Sequence, residues 1–221
     1  PADVRALGPL IPVARLLPGP VHYAMAGGGS HGAVQWGLLQ ALSETDLTPD
    51  ALIGTSAGAL SGAVYAEDPL SGLNRLAYIW GQLDTHFVMS ENWLSRLANA
   101  RQIALVSNDT ERQTLAGLLT AQTFADLSLP FSAVATDAAT GQAVVIDSGP
   151  LVPALLASSA IPGALPPVEI EGRLLFDGLA SANLPAMPAV RRGAGAVVVL
   201  GTGGRDPGKL NPPARRVLSR L

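Results

Sequence analysis

The 221-residue chain contains no cysteine, which excludes a disulfide framework, thiolate metal sites and a cysteine nucleophile. Its three histidines, His22, His31 and His86, are too few and too scattered for a zinc site. Charged residues make up only 14% and the net charge is −3, whereas a nucleic-acid binder presents a basic face; no nucleic-acid partner is expected. No run approaches the ~18 apolar residues of a spanning helix. The first residues also lack the basic start, apolar middle and small-residue cleavage site of a secretory signal. A cytoplasmic protein, or one resting on a membrane surface, is the expectation. What remains is apolar: hydrophobic residues reach 48%, enough for a sizeable core.

Residues 1–20 hold five prolines among apolar residues and read as an extended arm ahead of a single domain over 21–221. From there strands and helices alternate. VHYAMA (21–26) and ALIGTS (51–56) read as strands, and GAVQWGLLQALSE (32–44) and AGALSGAVYAE (57–67) as helices. In the first helix Val34, Leu38 and Leu42 share a stripe. This order predicts βαβ units and a three-layer α/β/α fold around a mostly parallel sheet. The middle, about 70–128, reads as a helical insertion, with LNRLAYIWGQL, ENWLSRLANARQIAL and TERQTLAGLLTAQ carrying apolar residues at helical intervals. FSAVATD (131–137) and QAVVIDS (142–148) read as strands, PLVPALLASSAIPG as a short helix, PPVEIEG and RLLFDG as two short strands, and AGAVVVLGTGG as a buried strand. The tail NPPARRVLSRL opens like a helix, with Asn211 as cap, and runs out at Leu221, as expected of a domain cut short.

Two loops stand out. Ala24–Gly37 reads AMAGGGSHGAVQWG, and Gly27, Gly29 and Gly32 match the spacing of a dinucleotide fingerprint. That fingerprint wants an acidic residue at the far end of the second strand, where Gly54-Thr55-Ser56 stands instead. A P-loop is excluded because no Gly-Lys-Ser/Thr follows. A plain tight turn is the bland alternative. The second loop, Gly54-Thr55-Ser56-Ala57-Gly58, is a G-x-S-x-G between a strand and a helix, the context of a nucleophile elbow. A serine nucleophile needs donors aimed at the developing oxyanion, and a glycine-rich backbone can turn several N–H groups to one point. Gly27, Gly28, Gly29, Ser30, His31 and Gly32 therefore read as an oxyanion hole.

The base is the harder question. Hydrolases on such sheets place Ser, Asp or Glu, and His in that order, but the last histidine, His86, precedes every late carboxylate. Unless that order is scrambled, a carboxylate must serve. Asp177, ending LLF and followed by Gly178, leads because ligands bind at strand carboxyl ends, although Asp-Gly is also a favoured hairpin turn. Asp137 is second; Asp147 and Asp206 are weaker. An ordinary aspartate, pKa near ~3.9, is too weak a base, so partial desolvation and a direct Ser56 contact are required.

GGGSHG, GTSAG and Asp177-Gly178, with ASSAIPGALPPVEIEGRLLFDG (157–178) and NLP (183–185), resemble in content and order the motifs of the patatin-like phospholipases, over about residues 22–202. The resemblance implies a Ser56–Asp177 dyad that hydrolyses acyl esters of lipids through an acyl-enzyme, with no metal or organic cofactor. Two positions depart from the family pattern: His31 stands where Arg or Lys is usual, and Leu179 where a small residue is common. His31 reads as a brace of the loop, with an exposed loop histidine as the alternative. Leu151, Val152, Leu155, Leu156, Ile161 and Leu165 are candidates for an acyl groove or for ordinary core, and Trp80 or Trp93 for contact with a bilayer. Arg215, Arg216 and Arg220 give a weak anionic-membrane signal. Two rivals stay open: the same chemistry on soluble esters or thioesters or in acyl transfer, and a non-enzymatic module binding an anion.

Overall fold

The computed structural model describes residues 17–82 and 109–202. Most of the proposed arm, the segment with His86 and Trp93, Asp206, and the tail with Asn211 and its arginines lie outside them. In chain order the described elements are β1 (Val21–Met25), α1 (Gly32–Ser43), β2 (Ala51–Thr55), α2 (Ala57–Glu67), α3 (Pro69–Gln82) and α4 (Asp109–Leu118). After these come β3 (Phe131–Asp137), β4 (Ala143–Ile146), α5 (Leu151–Ser159), β5 (Val168–Ile170), β6 (Arg173–Asp177), α6 (Leu179–Ala182), α7 (Ala186–Arg191) and β7 (Ala196–Leu200). Among the described residues no helix is long and apolar enough to cross a membrane.

One mixed sheet organises the molecule, in the order β5-β6-β3-β2-β1-β7, with β4 added to β3. The centre β7-β1-β2-β3 is parallel, while β4 and β6 run against β3 and β5 against β6. The period-two alternation of strand side chains divides the core between two faces. Tyr23, Met25, Leu52, Phe131, Ala133 and Leu200 join the larger cluster beneath α1–α5. Ala24, Ile53 and Val134 point the other way, toward Ala182, Ala186 and Ala189 of α6 and α7. The expected mostly parallel sheet between helical layers is what forms.

α2 is buried on nearly every side, and its small residues explain how. A Cβ on Gly58 would collide with the carbonyl of Met25, and one on Gly62 would lie 2.8 Å from the Phe131 ring. A helix this close to the sheet is the seat for whatever precedes it, and Ser56 precedes it.

The face of α1 is a correction. Val34 and Leu38, expected to lead a buried stripe, are 44% and 39% exposed, and the buried side is Gly32, Gln35 and Leu39. Gln35 wins the interior because its Nε2 donates to the carbonyls of Ala26 (2.7 Å) and Leu200 (3.0 Å) at the strand ends. A buried carbonyl without a partner costs more than an exposed valine. Gly32 has no room for a side chain because the Trp80 ring of α3 occupies the place it would take. Trp80, partly buried, thus packs against α1 and the main core. The groove candidates resolve similarly: Leu151, Leu155 and Leu156 are buried in the main core, with Val152 and Leu165 packed against it.

Candidate active site

β2 ends at Thr55, opposite Val134 of β3, and Ser56 then turns to φ 54, ψ −122 before α2 begins. A positive φ in a residue with a Cβ costs about 1–3 kcal/mol and persists only where its surroundings over-determine it. Here they do. The Ser56 carbonyl accepts the N–H groups of Ala59 (2.8 Å) and Leu60 (3.1 Å), and its own N–H donates to Ser158 Oγ at 2.9 Å. A Cβ on Gly54 would collide with the Gly58 carbonyl, so the tight return of helix on strand requires glycine there. Thr55 Oγ1 ties the turn to the Ala182 carbonyl at 2.8 Å.

Asp177 arrives from the opposite direction. Ala133 pairs with Gly54 of β2 and Ile146 of β4, whereas Ala135 pairs with Val144 of β4 and Asp177 of β6. β2 and β6 therefore share one edge of β3 and meet tip to tip. β2 stops opposite Val134 and β6 stops opposite Ala135, one position further along. Ser56 and Asp177 are brought together by this register. The backbone of Asp177 is held at both ends: its N–H donates to the Ala160 carbonyl (2.9 Å) and its carbonyl accepts Thr136 Oγ1 (2.8 Å).

The Asp177 side chain is 1% exposed. Burial pushes its pKa up to about 6, opposed by the Leu179 amide and the Ser56 hydroxyl. Oδ1 accepts the Leu179 N–H at 2.8 Å, while Oδ2 is buried and makes no hydrogen bond. The serine thus lies near enough to favour the charge without a well-formed bond to it. Asp137 is different. Its Oδ1 caps the following turn through the N–H groups of Ala139 (2.8 Å) and Thr140 (3.0 Å), and the Thr140 bond leads in holding its pKa down. Asp147 is exposed and paired with Arg192.

The glycine loop lies over Ser56: a Cβ on Gly27 would sit 3.2 Å from Ser56 Cβ. Its amides are not equivalent. Gly27 N–H donates to the Asn183 carbonyl (3.0 Å) and His31 N–H to the Gly28 carbonyl (3.2 Å), and Gly32 opens α1 beneath Trp80. Among the described residues the N–H groups of Gly28 and Gly29 have no acceptor. Gly29, at φ 57, supplies the turn beside Ser30 in the short 3-10 segment Gly29–His31. His31 Nδ1 lies 3.1 Å from the Gly28 carbonyl, a bracing contact. Gly178 is confined too, since a Cβ there would meet the Val134 carbonyl. Of the elbow residues, Ala57 and Gly58 form the first turn of α2.

Three contributors carried no assigned role in the sequence: Ser158, the Asn183 carbonyl, and Thr202, whose Oγ1 donates to Gly27 O at 3.2 Å. Their only signal is a polar residue inside or after an apolar run. Among the described residues no group of three or more His, Asp or Glu side chains could hold a metal ion.

Fold and loops together define a three-layer α/β protein whose G-x-S-x-G turn and glycine-rich loop meet at the carboxyl ends of parallel strands. The patatin-like phospholipase model matches residues 23–190, and the chain belongs to that family. It is 30% identical over 228 residues to an uncharacterized NTE family protein of Mycobacterium tuberculosis, covering 97% of this chain and 55% of that protein. It is 31% identical over 198 residues to patatin-like phospholipase domain-containing protein 7 of Rattus norvegicus, covering 88% of this chain and 14% of that one. The chain thus spans about half the length of the mycobacterial relative and a small part of the rat one. Among solved structures, VipD of Legionella pneumophila superposes with a TM-score of 0.56 over 92% of this chain and 53% of that one, at 14% identity; that likeness concerns the fold alone.

Proposed function

We propose that the chain is a serine acyl hydrolase that cleaves fatty-acyl esters of lipids with Ser56 as nucleophile and Asp177 as base. The observation that carries the reading is a dry carboxylate, ending one strand, beside a serine at positive φ ending another. Asp177 accepts the Ser56 proton as Oγ attacks the ester carbonyl, and the tetrahedral oxyanion takes hydrogen bonds from the Gly28 and Gly29 amides. Asp177 returns the proton to the departing alcohol, leaving an acyl-enzyme on Ser56. Water, deprotonated by Asp177, then attacks that ester, and the proton goes back to Ser56 as the fatty acid leaves. A pKa of about 6 suits this work: the group is mostly ionised at pH 7 and more basic than an ordinary aspartate. Oδ2, buried and without a hydrogen-bond partner, is free to take the serine proton, and such a bond commonly tightens only in the reacting complex.

An acyl-lipid substrate draws support from the family and from Leu179 and Leu184, 47% and 42% exposed on the segment that follows Asp177. Contact with a membrane surface belongs to the same proposal. The test is fluorophosphonate labelling with peptide mapping, joined to p-nitrophenyl esters of rising acyl length. Labelling at Ser56, lost in Ser56→Ala, with rates rising toward long chains, is the expected result. A short-chain optimum would redirect the substrate to soluble esters. Folded protein inert to the probe would remove the enzyme reading.

A further inference from the structure

The end of α5 carries an arrangement that the proposed chemistry leaves unexplained. Ser158 is fully buried. A serine on a helix commonly bonds back to its own helix or to water, but Ser158 spends both its roles outside. Its Oγ accepts the Ser56 N–H at 2.9 Å and donates to the Val134 carbonyl at 2.7 Å. Two residues on, the Ala160 carbonyl accepts the Asp177 N–H at 2.9 Å. One helix end therefore grips the backbones of both members of the proposed pair.

The grip on Ser56 is specific. β2 ends at Thr55 and α2 starts at Ala57, so neither element supplies an acceptor for the Ser56 amide. The hydroxyl both accepts that N–H and donates to Val134. A methyl does neither, and a thiol does both weakly. Val134 is also the residue opposite Thr55, so the bridge fixes the elbow to β3 just where β6 takes over the edge.

We propose that Ser158 is a positioning residue: it holds the Ser56 backbone in its positive-φ turn and so, with the Ala160 carbonyl holding Asp177, sets the alignment of hydroxyl and carboxylate. The inference rests on the Ser56–Asp177 reading. Ser158 is buried behind the turn and touches no substrate, so its loss lowers kcat and leaves KM nearly alone. A misplacement of about 1 Å costs up to roughly a hundredfold in rate.

The test compares Ser158→Ala, Ser158→Cys and Ser56→Ala in the full chain. The readouts are p-nitrophenyl butyrate hydrolysis and the second-order rate of fluorophosphonate labelling, each per folded protein as measured by circular dichroism. Ser158→Cys keeps a weak donor and acceptor at the position, with a somewhat larger atom, and carries the test if Ser158→Ala does not fold. The expected result is a loss of about tenfold to a hundredfold in kcat and in labelling rate, with KM within about twofold. A folded Ser158→Cys with wild-type kcat and labelling, beside an inactive Ser56→Ala, overturns this inference alone. A Ser56→Ala protein that keeps turnover overturns the pair and this inference with it.

Discussion

Acidification separates a buried catalytic aspartate from a structural one. Burial raises the Asp177 pKa from 3.8 to about 6 against the pull of the Leu179 amide and the Ser56 hydroxyl. A base works only when ionised, so kcat/KM follows the ionised fraction, about 90% at pH 7 and about 10% at pH 5. An aspartate of ordinary pKa is still about 90% ionised at pH 5. The expected fall between pH 7 and pH 5 is therefore about ninefold rather than negligible. The same shift acts on stability with the opposite sense. The folded state holds the proton more tightly than the unfolded chain, so the ionised carboxylate opposes folding above about pH 6. That penalty fades as pH drops through 6 toward 3.8 and the native state protonates first. Two units correspond to about 3 kcal/mol at most. Asp177→Asn, uncharged throughout and still able to accept the Leu179 N–H, is expected to lose turnover yet gain about 1–3 kcal/mol at pH 7.5. The gain should vanish near pH 4. Initial-rate kinetics and calorimetric unfolding across this range read both effects. A kcat/KM at pH 5 within twofold of its value at pH 7, or an Asp177→Asn protein less stable than wild type at pH 7.5, refutes the reasoning.

Asp137→Asn is expected to leave kcat within twofold and to lower the urea midpoint slightly, because two turn amides lose a charged acceptor; loss of turnover here, with Asp177→Asn active, would reassign the base. Gly54→Ala drives a methyl into the Gly58 carbonyl and is expected to cost at least about 1–3 kcal/mol, read as a lower denaturation midpoint. Gln35→Leu strips the side-chain donor from the Ala26 and Leu200 carbonyls and is expected to cost about 1–3 kcal/mol despite the added apolar surface. An unchanged midpoint for it would mean that the exposed stripe of α1, rather than Gln35, sets how the helix sits.

The fold was legible where local pattern and tertiary demand agree. β1, β2, β3 and β7 are apolar runs bounded by turn residues, and their order dictates a parallel centre. α1 misled because hydropathy scores side chains, while the buried Gln35 reaches the backbone carbonyls of Ala26 and Leu200. The same blindness hid Ser158, whose importance lies in the partners it reaches from a helix of otherwise apolar residues. Within the glycine loop the residue types announced a special backbone, but not which amides remain available. Gly27 spends its N–H on Asn183, more than 150 positions away in the chain. Asp137 and Asp177 are alike in sequence, each closing an apolar strand. Each also accepts the N–H two residues on, and they part only in space, where Asp177 is sealed at the end of β2 with Oδ2 left without a partner.

That last difference follows from strand direction. In a purely parallel sheet the carboxyl end of the next strand lies a strand spacing of about 4.8 Å to the side, a gap that a histidine ring is long enough to bridge. A carboxylate that is to reach the serine directly, with no imidazole between them, has to approach along the line of the serine strand. β6 does so by running antiparallel on the same edge of β3 that β2 occupies, and its last residue pairs with Ala135 where a sixth residue of β2 would have paired. β2 cannot continue, so the chain must turn away at Ser56. The positive φ at Ser56 goes with its sharp strand-to-helix turn, and β6 brings Asp177 up to that turn. The antiparallel strand accounts for the place of Asp177, and the turn into α2 for the strain at Ser56.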